Sequence, residues 1–254
     1  MRVLVLSGYG INCEDETLHA FNLVGFKGKI VHINDLIKNP KQLDNYQVFA
    51  IPGGFSYGDD TGSGNAMAKK IMINLYDQLL EFTSKDKLTI GICNGCQILI
   101  NLGIVPGIKN KDPEVAMIEN NSGNYECRWI DVKVAKTNSP WLRNINTLQL
   151  PVAHQEGQFM IPLNVLKSIK NQNLIGLQYI DQKKQLAKSK FPFNPNGSQD
   201  DIAALTNNNG NVLAIMPHPE RALYHYHVPN WQNIISKKFG DGYKIFMNAK
   251  KYFK

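Results

Sequence analysis

Apolar residues fall along this chain in short continuous runs separated by stretches of helical period. Arg2–Ser7 is a β-rich apolar run, followed by a turn at Gly8–Gly10 and a helical pattern through Leu18, Phe21 and Val24 that stops at Gly25. Lys29–Ile33 and Val48–Ile51 read as the next strands, the second ending at Pro52-Gly53-Gly54. A long helix is expected from Asn65 to Phe82, then the strand Leu88–Ile92. Strands alternating with helices predict an α/β fold, an open, mostly parallel sheet with helices on both faces, whose ligands gather at the carboxyl ends of the strands. Beyond Gly107 the pattern changes. Trp129–Val134, Leu148–His154 and Leu174–Tyr179 predict strands of a mixed or antiparallel extension, Asp181–Asn196 an ordered loop carrying Pro192 and Pro195, and Val212–Met216 a last strand. Ile245, Phe246, Ala249 and Phe253 recur at helical spacing and predict a docked terminal helix.

Composition narrows this little. At 254 residues and 43% hydrophobic content the chain can bury a full core, and one domain over 1–254 is expected. MRVLVLS is too short an apolar run for a signal peptide, and no stretch approaches the ~20 apolar residues of a membrane span, so a cytoplasmic protein with reduced thiols is expected. The net charge of +7 raises nucleic acid as a partner, yet the lysines are scattered. Their densest zone, Lys237, Lys238, Lys244, Lys250, Lys251 and Lys254, reads as the wet face of the terminal helix, so neither nucleic acid nor membrane is expected to bind.

The chemistry begins at Leu88–Leu99, LTIGICNGCQIL, where Cys93 stands inside a G-x-C-x-G frame at a strand-to-helix change. Gly91 and Gly95 suit a sharp turn that lifts the Cys93 side chain clear of the sheet, and a helix starting at Asn94 would aim its free N–H groups at the sulfur and favour a thiolate. Three other readings stand beside the nucleophile. A cysteine can be a small buried hydrophobe, and the C-x-x-C spacing of Cys93 and Cys96 permits a redox dithiol or half of a zinc site. Neither Cys13 nor Cys127 has a Cys or His at ligand spacing, so no metal is expected.

A thiol nucleophile needs a base. His19, His32, His225 and His227 lack a carboxylate at a useful offset, whereas Glu220 lies two positions after His218 with Pro219 stiffening the link. His154 with Glu156 is the second choice. Cys93, His218 and Glu220 are therefore the expected triad. Oxyanion donors are expected from the Asn94 N–H at the helix start and from the Gly53-Gly54 turn.

GICNGCQ with MPHPE resembles the class I, triad-type glutamine amidotransferases. GYGINCEDE, PGGFSYGDD, ENNSGNYECRW, PVAHQEG, NPNGSQDDIA and MPHPERA, spread over nearly the whole chain, resemble more narrowly the glutaminase components of phosphoribosylformylglycinamidine synthase, in purine biosynthesis. The resemblance implies a flavodoxin-like fold and glutamine as substrate, with Cys93 attacking its side-chain carbonyl, His218 passing the proton to departing ammonia and Glu220 orienting His218. It implies oxyanion roles at Gly54 and Asn94 and a glutamine contact at Gln97, no cofactor in this chain, and ATP and magnesium in a partner synthetase, with a small accessory subunit as a further partner. The opening Met and the lack of a synthetase region point to a separate subunit. Where such chains commonly read His-Gly-Glu-Gly-Arg, this one has His154-Gln155-Glu156-Gly157-Gln158, and Ala204 stands where glycine is frequent. The alternatives are a class I glutaminase with a different synthetase and a C-x-x-C thiol oxidoreductase.

Overall fold

In the computed structural model, residues 1–108, 113–229, 231–233 and 238–254 are described; Lys237 lies outside them. Eleven strands are described, β1 (Arg2–Ser7), β2 (Lys27–His32), β3 (Val48–Ile51), β4 (Leu88–Ile92), β5 (Ala116–Ile118), β6 (Glu126–Val134), β7 (Thr147–His154), β8 (Gln158–Met160), β9 (Ile175–Ile180), β10 (Ile202–Thr206) and β11 (Val212–Ile215). Seven α-helices accompany them, α1 (Glu14–Leu23), α2 (Ile33–Lys38), α3 (Asn65–Asn74), α4 (Tyr76–Ser84), α5 (Asn94–Asn101), α6 (Leu163–Asn171) and α7 (Tyr243–Tyr252).

Nine strands form one sheet in the order β2-β1-β3-β4-β11-β10-β9-β6-β7, and β5 pairs with β8 apart from it. From β2 to β11 neighbours run parallel, and from β11 to β7 antiparallel. The expected extension is thus continuous with the parallel half. β3, β4, β10 and β11 are buried at every position, which is why they read as unbroken apolar runs. The chain turns to opposite sides of β1 on leaving for β2 and for β3, so the crevice at the carboxyl ends of β1 and β3 is where an open sheet binds ligands.

One expected helix needs correction. The helix from Asn65 to Phe82 is broken at Leu75 (φ −138°), where the Asn74 side chain donates to Lys70 O at 2.8 Å in competition with the backbone ladder. Buried Tyr76 then turns to donate its hydroxyl to Leu102 O at 3.1 Å. The apolar pattern does not predict α2, β5, β8, β10 or α6; β10 is a five-residue run behind the polar stretch NPNGSQDD, and α6 is a short amphipathic helix burying Val165, Leu166 and Ile169. The terminal helix docks as read, with Ile245, Phe246 and Ala249 buried and Lys244 and Lys251 exposed. Among the described residues no helix is long and apolar enough to cross a membrane.

Candidate active site

β4 delivers Cys93 into a turn with φ +51° and ψ −104°, a strained backbone for a residue bearing a Cβ. Its N–H donates to Ile215 O at 2.8 Å, tying the elbow to β11. A Cβ on Gly91 would stand 2.3 Å from Gly95 O, and one on Gly95 only 2.0 Å from Ile51 O. The G-x-C-x-G spacing is therefore a packing requirement, because α5 starts directly against the strands. Cys93 is 5% exposed and its sulfur lies 3.6 Å from Ala153 O.

The chain leaves β11 through Met216 and Pro217 to His218, and Pro219 opens a 3-10 turn that brings Glu220 back toward the ring. His218 Nδ1 stands 2.5 Å from Glu220 Oε1, both side chains almost wholly buried. The His218 N–H donates to Pro151 O at 2.8 Å and fixes the backbone. A Cβ on Gly53 would meet His218 Cε1 at 2.8 Å and Cys93 Cβ at 3.4 Å, so imidazole and thiol converge over the end of β3. Burial opposes charge on His218, but the Glu220 carboxylate and then the nearby Cys93 and Cys13 sulfurs overcome it and hold the imidazolium well above its usual range. Nε2 makes no hydrogen bond of ordinary geometry, leaving it available to a reacting group.

Cys13 is a residue that spacing arguments missed. It caps the start of α1, accepts from the Arg221 guanidinium at 2.9 Å and lies against His218. Its sulfur, a His218 nitrogen and a Glu220 oxygen lie within 4.8 Å of one another, which corrects the expectation that Cys13 has no ligand-type neighbour. Glu220 Oε1 already holds His218, and a guanidinium beside the sulfur repels a cation. Glu220 pairs with His218 and with Arg221, and Cys13 joins this network by accepting from Arg221. Contact between residues 13 and 221 is long-range, and no sequence signal marks it. Cys96, wholly buried, has its thiol pushed up chiefly by burial and then by Cys93, which suits a core residue.

The remaining expected residues cluster around Cys93. Gly54 adopts φ +151°, and a Cβ there would strike the backbone of Gly10, Ile11 and Asn12. Asn12 N–H and Cys13 N–H both donate to Gly53 O at 3.2 Å, so the turn after β1 braces the Gly53-Gly54 segment. The Gly54 N–H makes no hydrogen bond among the described residues, and that of Asn94 opens a helix without an intrahelical acceptor. Asn94 and Gln97 act on each other: Asn94 Nδ2 donates to Gln97 Oε1 at 2.8 Å, and Gln97 Nε2 to Glu156 O at 2.6 Å. A cavity of about 240 Å³ opens between these parts, lined by Cys93, Gly54, Gln97, Asp59, His154 and Glu156 among others. A larger cavity of about 420 Å³ beside Tyr76 and Asn208 holds none of the expected residues.

His154 and Glu156 do not form the local pair that their spacing suggests. His154 Nδ1 faces Asn120 Oδ1 at 3.0 Å, whereas Glu156 Oε2 accepts the Ser63 N–H at 2.9 Å. Burial, and next the charge on His218, lower the His154 pKa to about 3, so its ring is neutral.

A family model for the CobB/CobQ-like glutamine amidotransferase domain matches residues 1–253. The subunit PurQ of phosphoribosylformylglycinamidine synthase from Methanococcus maripaludis is 43% identical over 264 aligned residues, covering 99% of this chain and 97% of that one. Phosphoribosylformylglycinamidine synthase of Drosophila melanogaster is 36% identical over 90% of this chain and 18% of its own length. The solved structure of PurLQS from Thermotoga maritima superposes with a TM-score of 0.73 at 30% identity, covering 100% of this chain and 99% of that one.

Proposed function

Since the chain belongs to the family of PurQ subunits of phosphoribosylformylglycinamidine synthase, within the CobB/CobQ-like glutamine amidotransferases, we propose that it hydrolyses glutamine and hands the ammonia to a synthetase partner. The reading rests on one observation above others: a thiol at an elbow and a carboxylate-held imidazole, from distant parts of the sequence, meet in a buried site beside a cavity.

In this reading the Cys93 sulfur attacks the carbonyl carbon of the glutamine side chain. The Gly54 and Asn94 N–H groups stabilise the developing oxyanion. The His218 imidazolium gives its proton to the nitrogen as the carbon–nitrogen bond breaks, ammonia leaves, and a γ-glutamyl thioester remains on Cys93. Water then gives one proton to His218 while its oxygen joins the acyl carbon and the carbon–sulfur bond breaks, so that glutamate leaves and the Cys93 sulfur and the His218 imidazolium return to their starting states. Glu220 keeps the imidazole in one orientation throughout. The synthetase uses the ammonia to convert formylglycinamide ribonucleotide to its amidine; ATP and magnesium belong to that partner, and a small accessory subunit joins it. This chain needs no cofactor for its own step, and it works in the cytoplasm.

A glutamine analogue bearing an electrophile tests the assignment. Peptide mass spectrometry is expected to find the label on Cys93, which lines the cavity, and not on Cys13 or Cys96. Labelling of Cys13 instead would move the nucleophile to the other sulfur beside His218. The oxidoreductase reading requires Cys96, whose full burial in the core argues against exchange.

A further inference from the structure

The Glu220 carboxylate has two cations beside it and hydrogen-bonds only one. Glu220 Oε1 stands 2.5 Å from His218 Nδ1, whereas Arg221 Nε lies 3.8 Å from the same oxygen, an ion pair without a hydrogen bond. Glu220 Oε2 is buried and has no hydrogen-bond partner among the described residues. A guanidinium next to a carboxylate commonly takes both oxygens with its parallel N–H groups. Here an oxygen stands open for that arrangement, and the arrangement is not made.

The guanidinium is engaged elsewhere. Arg221 Nη2 donates to Cys13 Sγ at 2.9 Å, and the Cys13 S–H is turned to Asn12 Oδ1 at 3.2 Å, so the sulfur meets Arg221 with its lone pairs. The sulfur is not free to follow the guanidinium. Cys13 N–H donates to Gly53 O at 3.2 Å, and Cys13 O accepts from the Thr17 N–H at 3.1 Å and the Thr17 hydroxyl at 2.7 Å. Cys13 is 1% exposed and the Arg221 side chain 38%, so the cation reaches in from the surface to a fixed, buried acceptor.

We infer that Cys13 is a positioning residue of the glutaminase step: by holding the Arg221 guanidinium it keeps that cation from closing on Glu220, and so reserves the carboxylate for His218. The inference deepens the glutaminase reading and rests on it. A guanidinium moved onto Glu220 would offset the charge that overcomes burial at His218, and the imidazolium would lose its proton at lower pH. The proton needed by the departing ammonia would then be missing over part of the working range. The other groups facing His218 do not replace the carboxylate. Cys93 is the nucleophile, His154 at the end of β7 is neutral, and Tyr125, ahead of β6, has its hydroxyl pushed up chiefly by burial and stays uncharged. Glu16, in the first turn of the helix that Cys13 caps, also attracts Arg221.

The test is the pH profile of kcat/KM for glutamine in the assembled synthetase complex. In Cys13→Ala the alkaline limb is expected to move down by ~1 pH unit as Arg221 closes on Glu220. Cys13→Ser keeps an acceptor for the guanidinium and is expected to hold the limb at its wild-type position. Arg221→Ala is expected not to lower it, and Cys13→Ala/Arg221→Ala to bring it back, because the competing cation is gone. A double variant as low as Cys13→Ala would overturn the inference, since the sulfur would then act on the ring directly. So would a slower Cys13→Ala with an unmoved limb, the mark of packing alone. Where the melting curve shows that Cys13→Ala has not folded, Arg221→Ala decides: a limb lowered there means that Arg221 supports Glu220 rather than competing for it. Glutamine hydrolysis that persists in Cys93→Ala would instead remove the glutaminase reading itself.

Discussion

At the scale of single residues, the site is governed by where the proton sits on His218. Glu220 Oε1 at 2.5 Å holds the imidazolium against the cost of burial. The raised pKa means that the native state keeps its proton at pH values where the unfolded chain has lost it. The stabilisation from this pair is complete below the ordinary histidine range and disappears as pH rises through the native value. In the proposed mechanism the same proton goes to ammonia, and the alkaline limb of kcat/KM is then expected to report it. In Glu220→Gln the hydrogen-bond geometry survives without the charge, and that limb is expected to move to lower pH; an unmoved limb would place the departing proton elsewhere. The sequence made this pair legible because its members lie two positions apart with proline between. The same rule misled at His154 and Glu156, where backbone direction sends one side chain to Asn120 and the other to Ser63. Cys13 was invisible to it, because its partners His218 and Arg221 come from the far end of the chain.

At the scale of elements, the elbow is a junction of β3, β4, β11 and α5. Gly95 lets the first turn of α5 sit on the Ile51 carbonyl, and Gly91 lets the same helix sit on β4. An added methyl at Gly95 meets backbone, which cannot swing aside as a side chain can. Gly95→Ala is expected to cost ~3 kcal/mol, at the upper end for overpacking, and to lower Tm by roughly 10 °C for a chain of this size. It should also displace Cys93 and abolish hydrolysis. An unchanged melting curve by calorimetry would mean that the helix is not seated as described. This junction could be read from sequence because its glycines bracket the cysteine at fixed spacing. Other elements could not. The break at Leu75 depends on a side-chain bond from Asn74 and on the Tyr76 anchor, neither of which alters the apolar period. β10 is one of four strands buried along their whole length, yet it is short and follows a turn-rich tract.

At the scale of the molecule, four carboxyl ends assemble the site: the turn after β1 brings Cys13, β3 brings Gly53 and Gly54, β4 brings Cys93, and β11 leads to His218 and Glu220. All belong to the parallel half of the sheet. The antiparallel half adds the far wall, since the end of β7 supplies Ala153 and His154 and the turn beyond it supplies Glu156. The parallel half was legible from alternating strand and helix signals. Its junction with the antiparallel half was not, because strand order across β11, β10 and β9 is set by tertiary pairing.

The central claim, that Cys93 makes ammonia which another active site consumes, is tested most directly by measuring amidine formation in the complex of Cys93→Ala with its synthetase, fed either glutamine or ammonia. Glutamine-dependent synthesis is expected to vanish while ammonia-dependent synthesis continues at the wild-type rate, because only the ammonia source requires the thiol. Loss of both activities, or survival of the glutamine-dependent one, would contradict the account.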